Sequence, residues 1–343
     1  MPTLQSKLLR WYDREARDLP WRRTNDPYAV WVSEIMLQQT RVDTVVPYYQ
    51  RFLERFPTAQ ALAEADEDSV LSLWSGLGYY RRARLLHAGV REVVARYGGE
   101  VPEDAEARLA LPGIGRYTAG AIGSIAFNRP EPIVDGNVTR VLARLKGIDL
   151  PVGTTALNKR LWMEAEELVP TDRPGDFNQA LMELGATVCT PKQPRCEACP
   201  LRGECTAYAD GSVERLPAPK ARKPPKRVDL VAVVASTGRG SSKRVWLTKE
   251  TKSLFGGLWS VPTSEESPSA ALRALNLRAR IHPTPASVVE HTLSHRKLHV
   301  TVHHATATKG TPTDTLRPFT PADLEAVGTS TLTQKLLRDT QPP

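Results

Sequence analysis

Residues 111–127 read LPGIGRYTAGAIGSIAF, a glycine-rich turn followed at once by an apolar helical run. Glycines such as Gly113 and Gly115 permit backbone conformations that residues with side chains resist. They also leave the N–H groups of the turn open to a phosphate at the N-terminus of the following helix. Two glycines at this spacing, taken alone, most often mark an ordinary turn. We therefore interpret the segment as a DNA-contacting hairpin between two helices only in combination with further motifs.

Helical periodicity continues on both sides of this hairpin as far as about residue 210. Thr58 can cap a helix that ends at Gly76. A second helix is predicted over residues 79–97, and a third after Asn137. Residues 1–210 are therefore predicted to form a mainly α domain.

The composition changes at residue 211. Residues 211–227 read GSVERLPAPKARKPPKR and contain four prolines and six lysines or arginines without apolar periodicity. This pattern is typical of an extended basic linker. Strand-like runs and two helical segments follow; the strands are 228–235, 245–248, 288–292 and 298–304, and the helices are 268–275 and 321–337. We expect residues 228–343 to form a second domain of the α+β class.

Length and composition limit the possible functions. A chain of 343 residues exceeds the usual single domain. Its net charge of +8 suits a polyanionic partner such as DNA or RNA. No apolar run is long enough to span a membrane, and the N-terminus lacks the features of a signal or transit peptide. We expect a cytoplasmic protein that binds no membrane.

All four cysteines of the chain lie in one short segment. Their spacing is Cys189-x6-Cys196-x2-Cys199-x5-Cys205. Disulfides would connect distant segments and are rare inside cells, so the crowding indicates one metal site with four thiolate ligands. Four thiolates bind zinc or an iron–sulfur cluster, and ligand type alone does not separate these two.

Glu34 lies in VWVSEIMLQQT, residues 30–40, within a helix that Asp26 and Pro27 can cap and start. Apolar neighbours surround it on nearly every side. A helix that is apolar all round is buried, and burial without a partner raises the pKa of a carboxyl group. Glu34 is therefore a candidate general acid near neutral pH. The alternative is a buried glutamate paired with an arginine or a backbone group.

Asp135 lies in PIVDGNVTRVLARL, immediately before a predicted helix. We expect the N-terminus of that helix to favour the anionic form of Asp135. The simplest interpretation is a helix cap, a role that Asn137 could fill equally well. Two carboxylates whose environments push their pKa values apart also provide the acid and the stabilising anion for cleavage of a glycosidic bond.

Six motifs resemble the adenine DNA glycosylase (MutY) family, a branch of the endonuclease III superfamily, in sequence and in order. They are RDLPWR, WVSEIMLQQT, GLGYYRRAR, LPGIGRYTAGAI, VDGNVTRVLAR and FNQALMELGATVC. The resemblance covers residues 8–206 and implies a helix-hairpin-helix glycosylase domain with an iron–sulfur loop. That domain would comprise a six-helix module over about 24–125 and a cluster module over about 1–23 and 126–210. The cysteine spacing resembles the [4Fe–4S] loop of the superfamily, which favours a cluster over zinc.

The resemblance also implies roles for individual residues. Glu34 would protonate a ring nitrogen of adenine, and Asp135, oriented by Asn137, would stabilise the oxocarbenium-like sugar. The further positions are Tyr117 in the catalytic pocket; Arg17, Trp21, Arg22 and Glu183 in the adenine pocket; and, as contacts to DNA and the opposing base, Gln39, Thr40, Leu77, Tyr79, Leu111, Gly113 and Gly115. Core packing is the alternative for Leu77 and Tyr79.

Position 117 separates two reaction types within the superfamily. The bifunctional lyases that this chain resembles carry a lysine there, whose amine forms a Schiff base with the sugar. Tyr117 cannot form that bond. We therefore expect a monofunctional hydrolase.

Residues from about 228 onward resemble the Nudix-like C-terminal domain of the same family. The resemblance rests on SLFGGLWSVP at residues 253–262 and HTLSH at residues 291–295. It implies that Leu293, Ser294 and His295 contact the oxidised guanine opposite the adenine. The family usually has an aromatic residue where Leu293 stands, so this chain lacks a stacking ring at that position.

Together these patterns predict a monomeric enzyme that flips and hydrolytically removes adenine from double-stranded DNA, where the adenine is mispaired with 8-oxoguanine or guanine. Three alternatives remain open: an endonuclease III-like enzyme for oxidised pyrimidines, a glycosylase for T·G mismatches, and a non-catalytic, cluster-bearing DNA-binding protein. Tyr117 and the second domain argue against the first, and Glu34 and that domain argue against the second.

Overall fold

The computed structural model describes residues 2–219, 224–238, 240–249, 255–273, 275–293 and 295–338. Within these ranges the chain forms two compact units. The first unit comprises residues 1–63 and 85–222, and the second comprises residues 64–84 and 223–343. The sequence placed residues 64–84 in the helical domain, whereas in the structure they pack with the C-terminal part of the chain.

Polar contacts hold residues 64–84 in the second unit. The phenol of Tyr80 donates to the Thr329 carbonyl at 3.0 Å. Gln334 Nε2 donates to Ser75 Oγ at 3.1 Å, and Lys249 Nζ donates to Asp68 at 2.6 Å. No local pattern in residues 64–84 predicts partners so distant in sequence.

Twelve α-helices occur among the described residues up to 219. They are α1 Leu4–Glu15, α2 Pro27–Leu37, α3 Val42–Arg55, α4 Ala59–Glu64, α5 Glu67–Leu73, α6 Arg81–Tyr97, α7 Ala105–Ala110, α8 Arg116–Ile125, α9 Gly136–Leu145, α10 Thr155–Leu168, α11 Pro174–Thr187 and α12 Thr206–Ala209. Short 3₁₀ turns cover Pro20–Arg22, Cys196–Ala198 and Arg202–Glu204. Among the described residues, no helix combines the length and apolar character needed to cross a membrane.

The single helix predicted between Thr58 and Gly76 is wrong, because two helices, α4 and α5, occupy this segment. Thr58 does cap α4, since its hydroxyl accepts from Ala61 N at 3.1 Å. The chain then leaves the helical path, and Asp66 starts α5 by accepting from Ser69 N at 2.9 Å. An aspartate that can cap inside a helical pattern is the signal that the periodicity concealed.

The hairpin joins α7 to α8 as predicted. Gly113 has a φ of 80°, and a Cβ there would lie 2.8 Å from Leu85 Cβ, so both conformation and space require glycine. The expectation for Gly115 is corrected, because its φ of −100° is open to any residue. Gly115 is the N-cap of α8 and makes no side-chain capping bond, which leaves the first N–H groups of α8 available to an anion.

Within the described residues, the second unit contains one mixed sheet of eight strands. They are β1 Lys226–Thr237, β2 Arg244–Lys249, β3 Trp259–Ser260, β4 Thr263–Ser264, β5 Arg278–Ile281, β6 Ser287–Thr292, β7 Arg296–Lys309 and β8 Leu316–Phe319. The strand order in the sheet is β3-β2-β1-β7-β5, and β1 and β7 are parallel. In addition, β4 pairs with β1, β6 pairs with β7, and β8 pairs with β2. The helices are α13 Pro268–Arg273, α14 Pro321–Glu325 and α15 Thr331–Arg338.

Alternation along β1 builds two apolar layers, one on each face of the sheet. Ala232 and Val234 face a core that includes Leu332 of α15. Val233 and Ala235 face a core that includes residues of α13. The sheet therefore lies between α13 and α15, which agrees with the predicted α+β, Nudix-like class.

The segment 211–227, predicted as an extended linker, is ordered where it is described. Leu216 is buried, and its carbonyl accepts from Arg144 Nε at 3.0 Å. Ala218 forms a bridge with Pro151. Residues 226 and 227 already belong to β1. Residues 220–223 lie outside the described residues.

Candidate active site

The first unit encloses a cavity of about 620 Å³. All eight residues that the sequence assigned to catalysis and the adenine pocket line it, and so do four of the predicted DNA contacts. The twelve are Arg17, Trp21, Arg22, Glu34, Gln39, Thr40, Gly113, Gly115, Tyr117, Asp135, Asn137 and Glu183. They come from α2, α8, α9, α11 and the segments before α2, α3, α8 and α9. The fold thus collects side chains that are up to 166 residues apart in sequence, as in the bond from Arg17 to Glu183.

Glu34 is buried in the middle of α2, and Asp26 caps that helix as predicted. Its carboxylate accepts from the phenol of Tyr117 at 2.5 Å, so its partner is neither an arginine nor a backbone group. Burial raises the pKa of Glu34 from 4.5 to about 7, although the Tyr117 hydrogen bond and the charge of Arg22 lower it. Glu34 can therefore hold a proton near neutral pH and release it.

Tyr117, on the first turn of α8, is fixed by a second contact. Met182 Sδ of α11 lies 3.3 Å from the Tyr117 phenol oxygen. Burial and the neighbouring Glu34 raise the pKa of Tyr117 well above 10, so the phenol keeps its proton and remains a donor. The sequence did not single out Met182. Its only signal was its position next to Glu183.

Asp135 is the N-cap of α9, and its Oδ1 accepts from Val138 N at 2.7 Å. Asn137 Nδ2 donates to the other carboxylate oxygen at 3.2 Å, so Asn137 is not the capping residue. We expected the helix to favour the anion. Instead, burial raises the pKa of Asp135 above 3.8, and the hydrogen bonds from Val138 and Asn137 oppose that rise. Asp135 thus accepts two hydrogen bonds that stabilise its charged form, whereas Glu34 accepts one.

Arg140 and Gly185 set the position of Asn137. Arg140 Nη2 donates to Asn137 Oδ1 at 2.9 Å and to the Gly185 carbonyl at 2.8 Å. A Cβ on Gly185 would lie 2.6 Å from Asn137 Cβ, so only glycine allows α11 to approach so closely. Sequence reasoning missed Arg140, although its place three residues after Asn137 on one helix face was a usable signal.

Glu183 holds two arginines at the wall of the cavity. Its side chain is fully buried and accepts from Arg17 Nε at 2.7 Å and from Arg22 Nη2 at 2.8 Å. Burial alone would raise the pKa of Glu183, but the hydrogen bonds from Arg17 and Arg22 outweigh it and lower the pKa. The ion pair therefore stays charged, and Trp21 packs beside it against Tyr49 with ring centroids 5.5 Å apart.

The predicted DNA-contacting residues are divided between the two units, and those of the first unit include Gln39, Thr40 and Leu111. Gln39 is exposed in the left-handed region at φ 57°, next to Thr40 on the cavity wall. Such a conformation is uncommon for a residue other than glycine and often marks a functional position. Leu111 is only 2% exposed and ends α7, so it supports the hairpin from inside.

The remaining predicted contacts lie in the second unit. Leu77 is 6% exposed and matches the core-packing alternative, whereas Tyr79 is 46% exposed at φ 51° and does not. Leu293 and His295 follow β6, where Leu293 N donates to the Arg296 carbonyl at 2.8 Å. Ser294 lies outside the described residues. Tyr79, Leu293 and His295 line a second cavity of about 550 Å³.

The four cysteines converge on one small pocket of about 30 Å³ in the first unit. Arg144 reaches it and donates to Cys189 Sγ at 3.3 Å. Among the described residues, no group of three or more His, Cys, Asp or Glu forms a ready site for a single metal ion. Burial raises the pKa of Cys199 to about 12, and the other three thiols add to that rise. The contribution of the other thiols is electrostatic repulsion between thiolates. A cationic iron centre would relieve that repulsion, so the four cysteines fit an iron-containing group.

Comparison with known proteins assigns both halves of the chain. Residues 32–164 match the family described as HhH-GPD superfamily base excision DNA repair protein, and residues 233–339 match the NUDIX domain family. The human adenine DNA glycosylase is 38% identical over 97% of this chain and 73% of its own length. The adenine DNA glycosylase of Arabidopsis thaliana is 41% identical over 79% of this chain and 49% of its own length.

Solved structures resemble the helical part of the chain. A thermostable thymine-DNA glycosylase superimposes with a TM-score of 0.55 and 32% identity, over 60% of this chain and 95% of its own. A trapped endonuclease III–DNA covalent intermediate gives a TM-score of 0.51 at 22% identity, over 60% of this chain and 94% of its own. The second likeness concerns the fold alone.

Proposed function

The chain belongs to the adenine DNA glycosylase family of base excision repair enzymes, and from that premise we propose that it removes adenine mispaired with 8-oxoguanine or guanine in double-stranded DNA. This proposal rests on the observation that two carboxylates, Glu34 and Asp135, line the same cavity. Glu34 has a pKa of about 7, and Asp135 has two donors to its anion. One can give a proton while the other stabilises a cation.

We propose the following course of reaction. The adenine leaves the base stack and enters the cavity of the first unit, since its glycosidic bond is out of reach inside the duplex. Glu34 gives its proton to a ring nitrogen of adenine. The bond between C1′ and the base then breaks, and its electron pair leaves with the adenine. Asp135 stabilises the resulting oxocarbenium-like sugar until water adds to C1′. The added water gives a proton to the Glu34 carboxylate, which completes hydrolysis and restores the acid.

The Glu183 ion pair serves base binding in this scheme. Glu183 fixes the guanidinium groups of Arg17 and Arg22, and Trp21 offers an apolar surface beside them. Tyr117 has no amine, so the enzyme is proposed to be a monofunctional glycosylase. Leu293, Ser294 and His295 of the second unit are proposed to read the opposing base. Gln39, Thr40 and Tyr79 are proposed to wedge into the duplex. We further propose that the enzyme works as a monomer inside the cell, where its substrate lies.

One panel of duplexes tests this function. Each duplex carries a single A·8-oxoguanine, A·G, T·G or thymine glycol site, and the released base is identified. Adenine should be released from the first two, and no base from the other two. Release of thymine from T·G would favour the relationship to the thymine-DNA glycosylase. Binding without release of any base would indicate a DNA-binding protein.

We propose that Cys189, Cys196, Cys199 and Cys205 hold a [4Fe–4S] cluster. Such a cluster would stabilise the loop that carries Arg195 and Arg202, and we propose that this basic loop contacts phosphates. Protein purified without oxygen should be yellow-brown and contain about four irons per chain. A fully active preparation with stoichiometric zinc and no visible absorbance would contradict this assignment.

Tyr117→Phe is expected to move the pH profile of adenine release. The Tyr117 phenol stabilises the Glu34 carboxylate and lowers its pKa. The pKa of Glu34 in the variant, which lacks that donor, should therefore be higher than in the wild type. Because the protonated form acts, the fall in rate at alkaline pH should shift to higher pH. The control is Tyr28→Phe, which removes a buried hydrogen bond to the Phe56 carbonyl at the other end of the α2 region. An unshifted profile for Tyr117→Phe would show that the bond does not tune Glu34.

A further inference from the structure

The cavity of about 550 Å³ in the second unit brings together four segments of that unit. Its wall is formed by residues within 78–84, 255–256, 291–295 and 330–331, outside the one undescribed position, 294. Its volume lies in the range of sites that enclose small ligands. Tyr79, Leu293 and His295 line it, and the proposed function assigns the reading of the opposing base to Leu293 and His295.

A purine is recognised through polar groups at its edge and a flat surface against its face. His295 is exposed and can meet the edge. Leu293 offers no aromatic face. Phe255 lines the same cavity and is half-buried, and its ring centroid lies 6.3 Å from the ring of His291. Phe255 therefore provides an aromatic ring in the cavity, although Leu293 does not.

A turn that follows Phe255 positions its backbone. Leu258 N donates to the Phe255 carbonyl at 3.0 Å, which closes a turn, and Leu258 itself is buried. Gly257 has a φ of 85°, and a Cβ there would lie 2.9 Å from Arg84 Nη1. The turn is thus packed directly on the segment that carries Tyr79. A ring that is already in position loses little entropy when it meets a base.

We propose that Phe255 is the stacking residue through which this enzyme fixes the plane of the oxidised guanine. The proposal rests on the proposed function. Hydrogen bonds to the oxidised edge are directional, so they discriminate only when the base plane is held. Tyr79 has a different use: Arg82 lies 5.3 Å from its ring centroid, and its exposure suits a wedge that enters any duplex.

The test compares full-length variants for binding and single-turnover adenine release with A·8-oxoguanine and A·G duplexes. Phe255→Leu should lower the preference for the oxidised duplex about threefold to tenfold, with A·G release changed less than about twofold. Phe255→Tyr keeps the ring and should keep the preference. The control is Val288→Ala, an exposed position on β6 that lines none of the cavities described above.

The outcomes separate the two proposals. If the wild type releases no adenine from either duplex, the proposed function fails. If the wild type releases adenine without preferring the oxidised duplex, or if Phe255→Leu keeps the wild-type preference, only the role of Phe255 is overturned. Thermal melting accompanies each assay, and Phe255→Ile is a second ring-free variant. A preference lost only together with the folded state, in both variants, would also overturn the proposal.

Discussion

Glu34→Gln is expected to bind an A·8-oxoguanine duplex as the wild type does and to release adenine about 10²–10⁴ times more slowly. The amide keeps the shape of the side chain, and its oxygen can still accept from Tyr117. What it loses is the proton that a carboxyl group with a pKa of about 7 carries near neutral pH. The measurement is the single-turnover rate of adenine release beside the dissociation constant of the duplex.

Glu164→Gln is the matched control for Glu34→Gln. Glu164 is also a buried carboxylate of the first unit, but it pairs with Lys146 and Arg160, away from the cavity. Its amide variant should release adenine at a rate within about threefold of the wild type, whatever its stability. Rapid release by Glu34→Gln would mean that another group is the acid.

Asp135→Asn is expected to slow adenine release about 10²–10³-fold, because a positive charge on the sugar loses the anion placed against it. Asparagine caps helices about as well as aspartate, so α9 should keep its N-terminus. Binding to the mispaired duplex should change little. A loss confined to binding would contradict the electrostatic role.

Asp26→Asn provides the control for the capping function. Asp26 is the N-cap of α2, and its Oδ1 accepts from Tyr28 N at 3.0 Å, the same kind of bond that Asp135 makes. Both variants keep a cap, and only Asp135→Asn removes a charge from the cavity. Equal losses of activity in the two variants would show that replacing a helix-capping aspartate is itself damaging, and that the charge in the cavity does not explain the role of Asp135.

The sequence predicted those parts of the fold that depend on local signals. The cap at Asp26 and Pro27, the turn at Gly113 and the alternation in β7 all appear where the pattern placed them. Each depends on neighbours within a few residues. The family resemblance added which of these local features belong to one site.

Other features depend on tertiary contacts or on a single residue that the helical periodicity concealed. The break between α4 and α5 comes from one capping aspartate, Asp66. The membership of residues 64–84 in the second unit depends on partners such as Thr329. The raised pKa of Asp135 follows from burial, which the helix-terminus argument alone does not include. Phe255 lies 38 positions from Leu293, so no motif joins them.

The pH dependence of adenine release tests most directly the central claim, that Glu34 supplies the proton. The measurement is the single-turnover rate constant on an A·8-oxoguanine duplex from about pH 5 to about pH 9. Burial holds the pKa of Glu34 at about 7, so the acid is protonated below that value and loses its proton above it. The account predicts a rate constant that falls about tenfold per pH unit above an apparent pKa near 7. A rate constant that stays level to about pH 9 would contradict it.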